Sequence, residues 1–236
     1  MNLFLTLAFL FFIGSVGGWV LELFYRRFFS KVNPERKWIN PGFCTGPYLP
    51  LYGSGLCILY LLASLEKPFP GMPHIVLFAM MALSMTAIEF IAGMWSLKFN
   101  NLRLWDYRDE WGNIEGVICP KFSLYWAILG AVYYFLIHPH ILDALSWLSQ
   151  NLAFSFVVGM FFGIFIIDLA TAAHFASKLR TFAEENDVVV HYEALKSSIR
   201  SYHDRAQKKY LFFRPFLSEL PMHEHLKGMT ERIRRS

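Results

Sequence analysis

Five long apolar segments, separated by short polar loops, constrain this chain more than any other feature. A helix needs about 20 mostly apolar residues to cross the roughly 30 Å hydrocarbon core of a bilayer. The second segment is the shortest and is interrupted by Pro50, Gly53 and Gly55. The segments lie at about residues 3–25, 48–65, 74–97, 122–141 and 152–176. We therefore predict an all-α polytopic membrane protein with five transmembrane helices.

The composition excludes a water-soluble or disordered chain. Only 17% of the 236 residues are charged, whereas a soluble domain carries roughly 25%. Disordered chains are poor in aromatic residues, but 18% of this chain is aromatic. The net charge of +4 is too small to indicate a surface that binds nucleic acid. We predict a transmembrane domain over residues 1–176 and a cytoplasmic helical tail over residues 177–236.

Lysine and arginine residues predict the orientation of the chain. Nine lie in the loops after the first and third segments, twelve follow the fifth, and the other two loops hold only Lys67. Cytoplasmic loops carry an excess of these residues. We therefore expect a multi-pass protein of the cell membrane with its N-terminus outside and its C-terminus in the cytoplasm. The first segment is predicted to be a retained span, because its basic residues follow its apolar run, unlike those of a signal peptide.

Three of the predicted spans each contain one carboxylate: Glu22, Glu89 and Asp168. A charged group inside a bilayer costs about 3 kcal/mol or more on insertion scales, so each is a candidate functional residue. All three fall in the cytoplasmic half of their spans, which predicts a polar cavity open to the cytoplasm. Structural roles remain open, since Arg26 lies one helical turn from Glu22 and Asp168 has hydrogen-bonding neighbours. Glu89 lies deep in its span, with Gly93 one turn further on.

Two loops carry further candidate residues. Residues 40–55, beginning at Asn40, interleave glycine and proline with aromatic residues, which predicts a re-entrant turn. Its N–H groups could bind an anion or a lipid head group, or the segment could be a plain interfacial turn. The loop before the fourth span contributes Arg103, Trp105, Asp106, Tyr107 and Asn113. Asp106 fits a structural cap or a pairing with Arg103 or Arg108 better than a catalytic role.

The tail contains a helical stripe that has three interpretations. The stripe residues recur three or four apart, as a helix requires, and are Leu195, Ile199, Tyr202, Ala206 and Tyr210. The helix could pack against the protein's own cytoplasmic face or dock a cytosolic partner. It could also lie on anionic lipid, assisted by Lys208, Lys209 and Arg214.

Several short motifs between residues 18 and 126 resemble one membrane-protein family. They are Gly18-Trp19 with Glu22; Asn40-Pro41-Gly42-Phe43; Gly46-Pro47-Tyr48-Leu49-Pro50-Leu51-Tyr52-Gly53; Glu89 with Gly93; Trp105-Asp106-Tyr107; Asn113; Gly116-Val117-Ile118-Cys119; and Ser123 with Trp126. Together they resemble the CmpB-like ABC-transporter permeases, also called ABC-transporter type IV. The resemblance implies transport, with a separate ATPase subunit that docks through the tail or through the loop of residues 103–119. No P-loop motif occurs in the chain itself.

These observations favour a transporter or permease of unknown substrate. An integral-membrane enzyme acting on a lipid-linked substrate and a non-catalytic membrane scaffold or regulator are the alternatives. We predict no catalytic residue, metal or cofactor. We expect membrane lipid to be a partner, and the oligomeric state stays open. The residues predicted to line one polar pocket at the cytoplasmic side are Glu22, Arg26, Asn40, Glu89, Arg103, Trp105, Asp106, Tyr107, Asn113 and Asp168, with residues 40–53 as one wall.

Overall fold

The computed structural model describes residues 2–30, 33, 35–205 and 224, and these residues are mostly helical. The elements are α1 (Leu3–Phe28), α2 (Pro50–Ala63), α3 (His74–Asn100), β1 (Leu102–Arg103), α4 (Pro120–Val132), α5 (His138–Gln150), α6 (Ser155–Asn186), β2 (Val190–His191) and α7 (Tyr192–Arg205). Two 3₁₀ turns, Ser64–Glu66 and Leu152–Phe154, follow α2 and precede α6, and one π turn, Tyr133–Ile137, joins α4 to α5.

Among the described residues, four stretches are long and apolar enough to cross a membrane: Leu3–Phe28, His74–Asn100, Pro120–Gln150 and Leu152–Asn186. They confirm a helical, multi-pass membrane protein. The fourth stretch incorporates the 3₁₀ turn before α6, and the third passes through the π turn. The helix at the second predicted span, together with its 3₁₀ turn, covers only Pro50–Glu66. The fifth crossing and the orientation of the chain therefore remain predictions.

Local chemistry explains several helix boundaries. The side-chain oxygen of Asn2 accepts a hydrogen bond from the N–H of Leu5 at 2.8 Å and caps the start of α1. Pro50 and Pro120 stand at the first positions of α2 and α4, where proline is favoured because the N–H has no helical partner. Pro139 also lacks an N–H, and the regular hydrogen bonding of the helix gives way to the π turn just before it.

The chain forms two compact units. Unit 1 comprises Met1–Val20, Tyr48–Ala92 and Tyr107–Ile167, and unit 2 comprises Leu21–Pro47, Gly93–Asp106 and Asp168–Ser236. Helix α6 continues to Asn186, so it passes the predicted domain boundary at residue 176 without a break. The division into a transmembrane domain and a tail remains a prediction.

The core of unit 1 is built where α1, α2 and α3 pack closely. A Cβ atom built on Gly14 would lie 2.8 Å from Leu56, and one built on Gly18 would lie 2.2 Å from Tyr52, so α1 and α2 touch at both glycines. The main chain is also joined there, since the N–H of Leu49 donates to the carbonyl of Ser15 at 2.9 Å. Close approach at small residues is a common way for membrane helices to associate.

The core of unit 2 includes the first part of the tail. The residue that follows each of α3 and α6 has a positive φ, Asn101 at 47° and Asp187 at 51°. Such a residue is common just after a helix C-terminus. The chain then enters β1 and β2, which pair in parallel with Leu102 opposite Val190. These two short strands were not predicted in the all-α fold, because two residues carry no periodicity.

Two residues of the predicted tail stripe, Leu195 and Ile199, are fully buried in the core of unit 2. They join Leu102, Leu179 and Val190 in one apolar cluster. This burial supports the interpretation that the tail helix packs on its own protein. The side chain of Tyr202 and the whole of Ala206, Lys208, Lys209, Tyr210 and Arg214 lie outside the described residues. Binding of lipid or of a cytosolic partner by the tail remains a prediction.

Candidate functional site

Glu89 is held inside unit 1 by two hydrogen bonds. Only 3% of the surface of Glu89 is exposed. The hydroxyl of Tyr107 donates to Oε1 at 3.0 Å, and the indole Nε1–H of Trp126 donates to Oε2 at 2.8 Å. Each carboxylate oxygen therefore has a donor in place. Hydrogen bonds to an ionised acceptor are stronger than those between neutral groups, so this arrangement stabilises a buried anion.

The loop after β1 places Tyr107 against Glu89. The N–H of Tyr107 donates to the carbonyl of Gly116 at 2.9 Å, and its ring stacks on Phe122 with centroids 4.2 Å apart. Asn113 shapes this loop, since its amide donates to the carbonyl of Glu110 and its Oδ1 accepts from the N–H of Gly116. Asn113 was predicted to line a pocket, and these contacts give it a structural role in the loop.

Trp126 is positioned by its neighbours on α2 and α1. The ring of Tyr52 lies 5.7 Å from that of Trp126, centroid to centroid, and Tyr52 packs directly against Gly18. A hydroxyl pair lies on the same two helices as Glu89 and Trp126, where Thr86 on α3 donates to Ser123 on α4 at 3.1 Å. Helices α1 to α4 thus all support the carboxylate site.

A second polar arrangement lies in unit 2, in the loop of residues 40–47. Asn40 is 1% exposed. Its Oδ1 accepts from the N–H of Gly42 at 3.0 Å, and its amide donates to the carbonyl of Thr45 at 3.2 Å. Asp168 on α6 accepts from the N–H of Thr45 at 3.1 Å and from that of Gly46 at 2.8 Å. These two N–H groups, of the kind predicted to bind an anion or a head group, are thus bound by a carboxylate of the chain itself.

A sequence model of the family described as "Putative ABC-transporter type IV" matches residues 9–173. The chain belongs to this family. Searches among curated proteins and among solved structures gave no match. The family resemblance seen in the short motifs is confirmed, and the matched region ends within α6, before β2 and α7.

In this ABC-transporter type IV protein, the motif residues fall into both units. Tyr107 and Trp126 both donate to Glu89 in unit 1, with Tyr52 and Gly18 beside them. In unit 2, the Asn40 motif bonds within itself and to Asp168, and the motif carboxylates Glu22 and Asp106 pair with basic residues. These motif residues are therefore held by contacts within their own units.

Glu22 belongs to a charged network in unit 2 that includes the tail. Arg26 donates from Nε to Glu22 at 3.0 Å and from Nη1 to Glu193 on α7 at 2.6 Å. Lys196 Nζ lies 3.8 Å from the same oxygen of Glu193. The predicted pairing of Glu22 with Arg26 is present, and the guanidinium joins α1 to α7 as well.

The two charged residues of α7 have shifted pKa values. Burial alone would raise the pKa of Glu193, but Arg26 and Lys196 outweigh it and lower that pKa. Burial lowers the pKa of Lys196 from 10.5 to about 8, although Glu193 opposes the change. Lys196 is buried, at 2% exposure, and so loses hydration when α7 packs onto unit 2.

We expect the packing of α7 to become tighter as the pH rises from about 8 to 10.5. Lys196 binds its proton less tightly in the packed state than in water, so in this window the unpacked state holds more protons, and raising the pH favours packing. Arg26 and Glu22 on α1 and Glu193 on α7 are the charged groups acting on Lys196.

The anisotropy of a fluorophore on an introduced Ser197→Cys reports this packing, since Ser197 lies on the exposed side of α7. The anisotropy should rise over this pH range in the parent chain and stay flat in Lys196→Met. Loosening of α7 above pH 8 in the parent would contradict the expectation.

The remaining predicted residues of unit 2 lie near β1. Asp106 lies 3.8 Å from Arg103 Nη1 and 3.6 Å from His191 Nδ1 on β2. Trp105, the residue before Asp106, is half-buried. These pairings agree with the structural role expected of Asp106.

The predicted single pocket remains a prediction. Glu89, Tyr107 and Asn113 lie in unit 1. The other members lie in unit 2 and are Glu22, Arg26, Asn40, Arg103, Trp105, Asp106 and Asp168. Within the units, the structure brings together Glu89 with Tyr107, Glu22 with Arg26, and Arg103 with Asp106.

Sequence reasoning missed the polar residues of α7 and one cluster in unit 1. Tyr192, Lys196 and Arg200 recur every four residues, a signal as regular as the apolar stripe that was followed. The unpredicted cluster in unit 1 joins Glu66, which accepts from the hydroxyl of Tyr134, with His74, whose Nε2 lies 3.3 Å from Glu66. Tyr134 lies 68 residues from Glu66 in the sequence, so no local pattern indicates the cluster.

Thiol and metal chemistry find little support within the part of the chain that the structure describes. No group of three or more His, Cys, Asp or Glu residues is placed to hold a metal ion there. Burial and the charge of Asp168 raise the pKa of Cys44 to about 12. Its thiol therefore stays protonated at neutral pH and is a poor nucleophile.

The hydrogen bond from Tyr107 to Glu89 can be tested with matched tyrosine variants. Tyr107→Phe removes one hydrogen bond to a buried carboxylate, which is expected to destabilise the protein by about 2 kcal/mol. Tyr125→Phe is the control, because Tyr125 lies on α4 with 41% of its surface exposed. Thermal unfolding in detergent should separate the variants, and equal midpoints would argue against a bond that matters to Glu89.

Proposed function

We propose that this protein is a membrane transporter of the permease type in which Glu89 binds the transported cation or a coupling proton. The observation that carries the proposal is the carboxylate of Glu89, buried on a membrane-spanning helix between two fixed donors. Carboxylates inside spans are rare because of their cost, and they commonly mark ion pathways and proton relays. Membership of an ABC-transporter-type family supports the same class of function.

The chemistry of the donors supports a site that gains and loses positive charge. The Tyr107 hydroxyl and the Trp126 indole are neutral, so they orient the carboxylate without neutralising it. A bound cation or proton would remove the cost of a bare anion inside the bilayer. The Thr86 and Ser123 hydroxyls add further oxygen atoms on the same pair of helices. A small cationic or protonated solute fits this chemistry better than an anionic one.

We also propose that α2 completes a fifth crossing and that the basic loops face the cytoplasm. Helices α1, α3 and α6 are each followed by a segment rich in lysine and arginine, which supports the same direction of crossing for all three. A chain whose first and third spans run in one direction needs a return crossing between them. The 17 residues of Pro50–Glu66 reach about 26 Å at 1.5 Å per residue, close to the thickness of the hydrocarbon core.

The family name carries a further element of the proposal. An ABC transporter needs an ATP-hydrolysing subunit, and the sequence has no P-loop with which to bind ATP. The ATPase would therefore be a separate chain that meets the cytoplasmic face in the cell membrane. Co-purification of an ATPase with the tagged full-length protein would support this arrangement, and a transporter that works alone in vesicles would exclude the need for it.

Glu89→Gln tests the site, because the amide keeps the shape of the carboxylate and removes its charge. The purified chain is reconstituted into liposomes on a solid-supported membrane. Currents are then recorded after jumps in H⁺, Na⁺, K⁺, choline or ethanolamine concentration. Binding of a cation at Glu89 moves charge without ATP hydrolysis, so the parent should give a transient binding current with at least one of these cations even without an ATPase. Glu89→Gln should reduce this current at least about tenfold. Glu66→Gln is the matched control, since Glu66 lies outside this site.

A current that survives in Glu89→Gln, or a parent chain that responds to none of the five cations, would overturn the assignment of Glu89.

The orientation of the chain in the membrane is tested separately. A membrane-impermeant maleimide should label Asp143→Cys from outside the cell and Ser177→Cys only after permeabilisation, in a chain without its native cysteines. Both positions are exposed, so the reversed pattern would refute the proposed topology.

A further inference from the structure

Three side chains of α7 donate hydrogen bonds to the main chain of the loop that follows α1. The Tyr192 hydroxyl donates to the carbonyl of Gly42 at 2.8 Å. Lys196 Nζ donates to the carbonyl of Asn40 at 2.8 Å. Arg200 Nη1 donates to the carbonyl of Trp38 at 3.1 Å. All six residues belong to unit 2.

The spacing of these bonds is regular on both sides. The donors are four residues apart on a helix, which is about 6 Å along its axis. The acceptors are two residues apart in a segment without helix or strand, and an extended chain spaces such residues by about 6.6 Å. The two repeats match closely enough for three successive bonds, and they run in opposite chain directions. Helix α7 therefore contacts the segment of residues 38–42 in a fixed register.

Other contacts hold α7 in the same place. The ring of Phe43 lies 5.1 Å from that of Tyr192, centroid to centroid. Leu195 and Ile199 are buried in the apolar cluster against which Phe43 packs. Arg26 binds Glu193 from the end of α1 at 2.6 Å. The aromatic and apolar contacts thus place α7 against this loop, and the ionic contact fixes α7 to α1.

The loop that α7 holds is the one that binds Asp168. The carbonyls of Asn40 and Gly42 accept from α7, while the N–H groups of Thr45 and Gly46 donate to Asp168. One short loop is therefore fixed from both sides by residues that follow it by more than 120 positions. Loss of either set of bonds would free main-chain groups that need other partners.

We propose that residues 38–42 form a docking strip for a helix, and that α7 is the strip's own, reversibly bound ligand, which sets the conformation of the 40–47 loop. The strip recognises a helix that carries hydrogen-bond donors four residues apart. Its acceptors are main-chain carbonyls, so recognition depends on the register of the donors and little on the side chains of the strip. This inference concerns the tail and does not depend on transport through Glu89.

Cys44 provides a native reporter of the docked state, because it lies in the loop and is 6% exposed. The test uses the full-length chain with Cys57→Ser and Cys119→Ala, which leaves Cys44 as its single thiol. The rate of reaction with N-ethylmaleimide is measured at pH 7. Tyr192→Phe keeps the ring on Phe43 and removes one donor, so labelling should become about threefold to tenfold faster.

Tyr192→Phe combined with Lys196→Met should label at least about thirtyfold faster than the parent, since two donors are lost. Ser197→Ala is the matched control on the same helix, because Ser197 bonds only locally to the carbonyl of Ala194. Its rate should equal that of the parent. Size-exclusion chromatography establishes that each variant remains folded.

An unchanged Cys44 rate in Tyr192→Phe would overturn the proposal, because that variant preserves the packing and removes only the bond. If the double variant fails to fold, the single variant decides alone. Acceleration in Ser197→Ala as large as in Tyr192→Phe would also overturn it, since any disturbance of α7 would then suffice.

Discussion

Gly53→Ala is expected to destabilise the protein by about 3 kcal/mol, one of the two largest effects that we predict. A Cβ atom at residue 53 would lie 2.1 Å from Oγ of Ser15 and 2.6 Å from the main-chain carbonyl of Phe11. The serine hydroxyl can rotate away, but the carbonyl is fixed in α1. Helices α1 and α2 must therefore separate, and overpacking of this kind typically costs 1–3 kcal/mol or more.

The control for this prediction is Gly17→Ala. A Cβ atom at residue 17 meets nothing within 4 Å, and alanine favours a helix over glycine by up to about 1 kcal/mol. The thermal midpoint in one detergent should fall by roughly 6–12 °C for Gly53→Ala and stay level or rise for Gly17→Ala. A similar midpoint for both variants would mean that α1 and α2 do not approach as described.

Arg26→Met is expected to weaken the packing of α7 by about 2–3 kcal/mol. The guanidinium bonds to Glu22 and Glu193 with side chains only about a fifth exposed. Removing one partner of a buried ion pair typically costs 3–5 kcal/mol, because the remaining charge loses its compensation, and partial exposure reduces this figure here. Hydrogen exchange at neutral pH should show protection of the α7 amides reduced by roughly 30-fold to 150-fold.

Two further variants separate the loss of a charge from general damage. Arg26→Met with Glu193→Met replaces the pair by apolar side chains and should recover at least half of the lost protection. Arg180→Met removes an exposed pair with Glu184, whose side chains are half exposed, and should change protection by less than about threefold. Failure of the double variant to recover any protection would show that the ion pair is not the cause.

The spanning helices could be predicted because apolar runs depend only on local sequence. The depth of Glu89, its association with Tyr107 and the pairing of Glu22 with Arg26 follow from the same local reasoning and from the family motifs. Helix α7 was predicted from the stripe that includes Leu195 and Ile199. Its apolar side is buried, as the interpretation that the tail packs on its own protein requires.

Other features depend on contacts between distant residues, and the sequence alone does not indicate them. The bond from Trp126 to Glu89 joins helices 37 residues apart. The strands β1 and β2 pair across 88 residues, with only two residues in each. The hydrogen bonds from α7 to the loop are accepted by main-chain carbonyls, which every residue possesses. No side-chain pattern in residues 38–42 therefore indicates them.

The acceptance of two N–H groups by Asp168 has a consequence for biosynthesis. Thr45 and Gly46 precede Asp168 by 123 and 122 residues, and Gly42 precedes Tyr192 by 150. The ribosome therefore completes the loop long before it makes either set of partners. Until α6 and then α7 emerge, these main-chain groups must bond to water or to other partners. The loop reaches its final form late, so a chain truncated before α6 would expose it to proteases even with its first helices inserted.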